Sequence, residues 1–246
     1  SCFFLVVKAK ADTLINVDSA NFYLSKAKES KQARKTWDAE KFFQKAIEFD
    51  PNNESIKLEF ANYYIEQRKY GLANQQYNSI LQKNPSSVLA TTKVIELSYN
   101  LKKWADVIKN GEAAIAKNIK VDKVHFMIAK AYFEDENYGQ ARKYLTTQMG
   151  ITPKDKETIE LLGKVYVELS LFTDAIAMYE KVLKETPNDA DLIYEMGMLY
   201  SAQHKEKDAV KYYEMAIEKG LKPDLAYWEN LGMSYLTFDI KKGVDV

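Results

Sequence analysis

Residues 156–187 read KETIELLGKVYVELSLFTDAIAMYEKVLKETP, and this stretch decides the fold. Ile159, Leu162, Val165, Tyr166 and Leu169 recur at spacings of three and four, and Ala175, Ile176, Tyr179, Val182 and Leu183 do the same. Each run therefore lays one apolar stripe along an α-helix. Residues 170–173 form the turn between the two runs. Pro187 stops the second helix because it has no amide hydrogen to continue the ladder. The stretch reads as a helix hairpin with an apolar face on each arm.

The same hairpin recurs along the chain. Prolines stand at Pro51, Pro85, Pro153 and Pro187, so the gaps are 34, 68 and 34 residues, with Ile119 in the skipped slot. A fixed period of that length is the mark of stacked helical repeats. Blocks of 34 begin at Ala20, Glu54, Val88, Asp122, Lys156 and Ala190, and a seventh, incomplete, begins at Leu225 after a one-residue slip near Lys222-Pro223. Position 8 of the blocks holds Ala27, Ala61, Ile95, Ala129, Gly163, Gly197 and Gly232, nearly all small. Position 20 is also small: Ala39, Ala73, Val107, Ala141, Ala175 and Ala209. Position 11 carries Tyr64, Tyr132, Tyr166, Tyr200 and Tyr235, and position 24 carries Phe43, Tyr77, Leu145, Tyr179 and Tyr213. Large columns set against small ones are what close-packed hairpins require. Polar pairs after each proline, such as Asn52-Asn53 and Asn188-Asp189, supply caps for the next first helix. The expected fold is all-α, a right-handed α-α superhelix (solenoid) of helix-turn-helix repeats.

The set Leu162-Gly163, Tyr166, Phe172, Ala175, Tyr179 and Pro187 resembles a tetratricopeptide repeat, and Trp228, Leu231-Gly232 and Tyr235 match the opening of that repeat. The resemblance covers about residues 20–238. Block 3 departs from it at Val94-Ile95, Ser98, Gly111 and Ile119, and block 1 at Lys26 and Ser30, so block 1 reads as a variant end cap. The chain is expected to stop after the first helix of block 7.

Ahead of the array, residues 12–19 read as a polar lead-in, with Asp18 or Ser19 capping a helix that starts near Ala20. Residues 1–11 read as the tail of a secretory signal: Phe3 to Val7 are apolar, and Ala9-Lys10-Ala11 has the small-x-small form of a cleavage site. The expected location is therefore exported, periplasmic or cell envelope, in a bacterium, with the cytoplasm as the alternative. Cys2 is the only cysteine and falls in that segment, so the remaining chain offers no disulfide, thiolate nucleophile or cysteine ligand. No later stretch is apolar for long enough to span a membrane.

Lys plus Arg and Asp plus Glu are both 35, and this zero net charge gives no general pull toward nucleic acid. The two histidines, His125 and His204, each lack a second histidine three or four residues away, so no metal pair forms on a helix face. The acidic run Glu134-Asp135-Glu136 falls at an inter-helix turn and reads as a solvated face. The sequence has no phosphate loop, nucleophile elbow or metalloprotease motif. No catalytic, cofactor or metal residue is expected.

The resemblance implies a ligand groove lined by the first helices at block positions 2, 5, 9 and 12. Those residues are Leu58, Asn62 and Ile65; Thr92, Glu96 and Tyr99; Lys123, Phe126, Lys130 and Phe133; Glu160 and Lys164; and Tyr194 and Met198. The variety of repeat that grips chaperone C-termini needs a full set of carboxylate donors. Asn62 and Lys123 fit that set, but Leu58, Lys93 and Met127 break it. The expected function is a non-catalytic protein-protein interaction scaffold that binds a peptide or protein. Its rivals are a cell-envelope assembly factor, the docking arm of an enzyme or sensor lying beyond residue 246, and a carbohydrate-binding solenoid using Tyr99, Phe126, Phe133 and Tyr194.

Overall fold

The computed structural model describes the backbone of residues 2–245 and the side chains of residues 16–245. The described residues form fourteen helices and no strand, in two compact units, Ser1–Asp122 and Lys123–Val246. The first unit holds α1 (Cys2–Gln32), α2 (Thr36–Phe49), α3 (Glu54–Glu66), α4 (Tyr70–Lys83), α5 (Val88–Asn100) and α6 (Trp104–Ala116). The second holds α7 (Val124–Glu134), α8 (Tyr138–Ile151), α9 (Lys156–Glu168), α10 (Phe172–Glu185), α11 (Ala190–Ala202), α12 (Glu206–Glu218), α13 (Leu225–Leu236) and α14 (Ile240–Asp245). Within each unit, consecutive helices pair into hairpins that stack on one another.

Five first helices, α3, α5, α9, α11 and α13, start at the residues the 34-residue period predicts. Each is capped by a side-chain oxygen, from Asn53, Ser87, Asp155, Asp189 or Asp224, which accepts from the amide three residues on. The exceptions are α1, which begins at Cys2 rather than Ala20, and α7, which begins at Val124 rather than Asp122. Ahead of α7 the capping slot holds Val121, which has no acceptor and is buried, and Lys123 turns the chain with a left-handed φ of 49°.

Second helices end in two ways. Where a proline follows, the preceding residue leaves the helical region: Asp50, Asn84, Thr152 and Thr186 have φ between −137° and −126° and ψ between 66° and 82°. In the two blocks without a proline in that slot, the chain closes with a left-handed residue, Asn118 (φ 54°) or Gly220 (φ 99°). The amides of Ile119 and Leu221 then reach back to the carbonyls of Ala114 and Ala216, both at 2.9 Å. This is the Schellman closure, which satisfies carbonyls left open at a helix end.

The turn between the two helices of a block uses the same device every time. Position 15 is left-handed in all six complete blocks, at Arg34, Arg68, Lys102, Glu136, Ser170 and His204, with φ of 53–57°. The following amide, at position 16, donates back to the carbonyl of position 11, as in Lys69 to Tyr64 at 2.8 Å. His204 is thus a turn residue, and the Glu134-Asp135-Glu136 run is solvent-exposed at its turn.

The core follows the columns. All six residues at position 20 are 0% exposed, and Ala27, Phe43, Ala61 and Tyr77 meet in one cluster of the first unit. In the second unit, Gly163 lies against the ring of Tyr179 and Gly197 against that of Tyr213. A Cβ on Gly197 would stand 2.5 Å from the Tyr213 ring, so glycine there lets a large residue of the second helix approach the first.

Two expectations are corrected. Residues 12–19 are not a lead-in: α1 runs through them without a break, so Asp18 and Ser19 are mid-helix and cap nothing. No glycine or proline interrupts residues 2–32, which removes the usual reason to stop a helix. The chain also continues past the first helix of block 7, into α14. The reading of residues 1–11 as a signal tail concerns side chains that lie outside the described residues.

Candidate functional site

The second unit contains a cavity of about 490 Å³ lined by three successive blocks. α7 contributes Phe133; α9 contributes Lys164, Val167 and Glu168; α10 contributes Phe172 and Tyr179; and α11 contributes Glu195, Met198, Leu199 and Ala202. Its walls are mainly apolar. The 34-residue period brings these residues together, because Lys164 and Met198 occupy position 9 of their blocks, and Phe133 and Val167 occupy position 12.

Two carboxylates line this apolar space. The Glu195 carboxyl accepts from the phenol of Tyr179, and the Glu168 carboxyl faces the phenol of Tyr138. Burial pushes the Glu195 carboxyl above the usual glutamate range, and the Lys164 ammonium and the Tyr179 hydrogen bond only partly counter it. Burial, then the neighbouring Glu195 charge, raises the Tyr179 phenol as well. The cavity thus combines aromatic walls, a half-buried carboxylate and a single lysine. Among the described residues, no group of three or more His, Cys, Asp or Glu side chains is placed to hold a metal ion.

Of the fourteen residues expected in the groove, Phe133, Lys164 and Met198 line the cavity. Several of the others are committed to neighbours. Lys123 bridges Asp155 at 3.0 Å and Glu157 at 2.8 Å, tying the start of α7 to the start of α9. Its ammonium also lies 5.8 Å from the Phe126 ring. Burial works against the Asp155 charge, but the Thr158 hydroxyl and Lys123 outweigh it and hold this carboxyl below its usual range. Lys130 pairs with Glu134 at 2.7 Å and covers Phe133 at 5.2 Å, while Glu160 pairs with Lys156 at 3.4 Å. The Tyr194 ring lies tilted against those of Tyr213 and Tyr227, and its hydroxyl accepts from Asn230 at 2.8 Å.

In the first unit, Leu58 and Ile65 pack against the core, and Asn62 accepts weakly from the Tyr77 hydroxyl at 3.4 Å. Thr92 donates to the Val88 carbonyl at 2.8 Å, Glu96 pairs with Lys93 at 2.8 Å, and Tyr99 meets Trp104 edge to face at 5.8 Å.

The fourteen expected residues leave out Val167, although it stands at position 12, and the groove positions do not reach Glu168, Phe172, Tyr179, Glu195, Leu199 and Ala202. Tyr179 and Phe172 belong to columns that look purely structural. Glu195 leaves no trace in its column: position 6 holds buried Met127 and Leu161 in the two preceding blocks, but Ser25, Glu59, Lys93 and Asn230 elsewhere, so a carboxylate there does not stand out.

Models of the tetratricopeptide repeat match residues 122–155 and 160–226. Among solved structures, a tetratricopeptide repeat protein from Parabacteroides merdae aligns with a TM-score of 0.61 at 15% identity, covering 92% of this chain and 89% of that one. YrrB, a tetratricopeptide repeat protein with an unusual peptide-binding site, aligns at 0.64 and 19% identity, covering 75% and 94%. A curated relative, the antiviral innate immune response effector IFIT1 of Macaca fascicularis, is 26% identical over 143 residues, which is 58% of this chain but only 29% of the relative. These structural likenesses carry the fold, and the repeat register described above runs through both units. Residues 122–155 and 160–226 are thus tetratricopeptide repeats, in a chain with the fold of tetratricopeptide repeat proteins.

Proposed function

We propose that the chain is a non-catalytic interaction scaffold whose second unit holds an extended segment of a protein partner in the cavity between α7, α9 and α11. Tetratricopeptide repeats typically serve as such scaffolds. The observation that carries the reading is the convergence of Phe133, Val167, Met198 and Leu199 from three blocks on one recess. Binding recesses commonly pair apolar walls with a few placed polar groups, here Lys164, Glu168 and Glu195. Its volume falls in the range of sites that bury a ligand rather than touch it.

Selection of a displayed random peptide library on the purified chain tests this. Enriched peptides should lose binding to Met198→Glu, which puts a charge in the recess. They should keep it with Lys181→Glu, an exposed change on α10. Peptides that tolerate Met198→Glu and respond to Lys181→Glu would move the site elsewhere.

Export of the chain rests on the apolar run Phe3 to Val7 followed by Ala9-Lys10-Ala11. N-terminal sequencing of protein recovered from the native host decides it, with Asp12 as the expected first residue. A mature chain that retains residues 1–11 contradicts it.

A further inference from the structure

The geometry points to a defined occupant for this cavity: a cationic side chain on an apolar stem, arginine before lysine, carried by the partner's extended segment. The inference rests on the scaffold reading above and specifies the chemistry of its site.

The charges in the recess do not balance. Glu168 and Glu195 bring two carboxylates, and Lys164 brings one ammonium. Lys164 and Glu168 are exposed, whereas Glu195 is half-buried against apolar walls. A half-buried carboxylate is costly unless its remaining lone pairs find partners. The Tyr179 phenol satisfies one acceptor site of Glu195, and an ionised carboxylate has about four. An incoming guanidinium has five donors in a planar fork, which suits the acceptor sites that remain.

The walls select the same chemistry. Phe133, Phe172 and Tyr179 bring three aromatic rings to the recess. A cation near an aromatic face is attracted by the ring's negative face, most strongly in desolvated sites. Met198 and Leu199 provide apolar surface for the methylene stem, which long cationic side chains bury while the head group stays polar. An acidic side chain or a C-terminal carboxylate would meet two carboxylates for one lysine. A purely apolar side chain would desolvate Glu195 further and bring no donor to the acceptor sites that Tyr179 leaves open.

The test uses three blocked pentapeptides, Ac-Ala-Ala-Xaa-Ala-Ala-NH2, with arginine, citrulline or glutamate at the centre. Each is titrated into the isotope-labelled chain and followed by amide shifts. Citrulline keeps the shape of arginine and removes its charge. The arginine peptide should bind in the millimolar range, as expected of a single anchor, and shift Val167, Met198 and Leu199. Citrulline and glutamate should bind at least about tenfold more weakly. Glu195→Gln keeps an acceptor for Tyr179 and should weaken the arginine peptide about tenfold, with a preserved amide spectrum reporting an intact fold. Lys164→Gln should not weaken it.

Equal binding of citrulline or glutamate overturns the assignment while leaving the scaffold reading intact. Loss of binding in Lys164→Gln, or indifference to Glu195→Gln, does the same. If none of the three peptides perturbs the cavity, the cationic occupant is wrong, and the library selection decides the broader reading separately.

Discussion

Replacing Gly163 by alanine isolates the device that stacks these hairpins. A Cβ at this position would lie 2.7 Å from Cδ1 of Tyr179 and 3.4 Å from the Cβ of Met178. Ordinary contacts between carbons begin at about 3.5 Å, so the ring has to move by most of an ångström. Tyr179 is only 3% exposed and is anchored through its hydroxyl to Glu195, which limits that movement. Overpacking of this kind costs about 1–3 kcal/mol, and the better helix propensity of alanine returns about 1 kcal/mol. The net expectation is a loss of about 1 kcal/mol. Gly139→Ala is the control: it lies in α8 with no heavy atom within 4 Å of the added carbon, so it should gain about 0.5 kcal/mol. Urea unfolding followed by circular dichroism at 222 nm should place the two midpoints on opposite sides of the parent. A second change tests the cause. Block 4 pairs Ala129 with Leu145 at the same two positions, so Tyr179→Leu in the Gly163→Ala background should recover about 1 kcal/mol relative to additivity. If Gly163→Ala is as stabilising as Gly139→Ala, or if the double change is additive, the small-against-large account of the columns is wrong.

Other expectations follow from the turns, caps and charges. Glu136→Gly replaces a residue held at φ 56° and should stabilise the chain by about 0.5–1 kcal/mol in thermal or urea unfolding, whereas Glu136→Val should destabilise it. Asp155→Ala removes the cap of α9 and the partner of Lys123, and should cost about 1–2 kcal/mol at neutral pH. Because the folded Asp155 carboxyl lies below its usual range, that contribution is present above the ordinary aspartate range and fades as pH falls through the lowered value. The gap between parent and Asp155→Ala, measured by unfolding across pH, should therefore narrow in acid. Glu195 has the opposite sign. Its folded pKa is raised, so ionisation destabilises the chain as pH rises through that value, and Glu195→Gln should melt higher than the parent at pH 7 but not at pH 4.

Much of the fold was legible because packing writes itself into columns. Alanine and glycine at positions 8 and 20, opposed by aromatics at positions 11 and 24, fixed five first-helix starts to the residue. The boundaries that slipped have local causes. Val121 in a capping slot delays α7, and the absence of glycine or proline lets α1 run through residues 12–19. The left-handed turn at position 15 left no trace, since Arg, Arg, Lys, Glu, Ser and His share no side-chain chemistry and only the backbone there is common. The cavity was half legible. Phe133, Lys164 and Met198, expected from positions 9 and 12, line it, whereas Val167, also at position 12, was not among the expected residues. Nor were Glu168 and Glu195, because their role depends on the neighbouring blocks that surround them. Lys123 was assigned to the groove, yet its charge is engaged by Asp155 and Glu157.

The scaffold account predicts where a bound segment touches the protein. Hydrogen exchange of the chain with and without a library-selected peptide tests this without altering any side chain. The predicted result is added protection centred on residues 130–134 of α7, 163–168 of α9 and 194–202 of α11, with α8 and α12 unchanged. Protection confined to α8, α10 and α12, with none on α9 or α11, would contradict it.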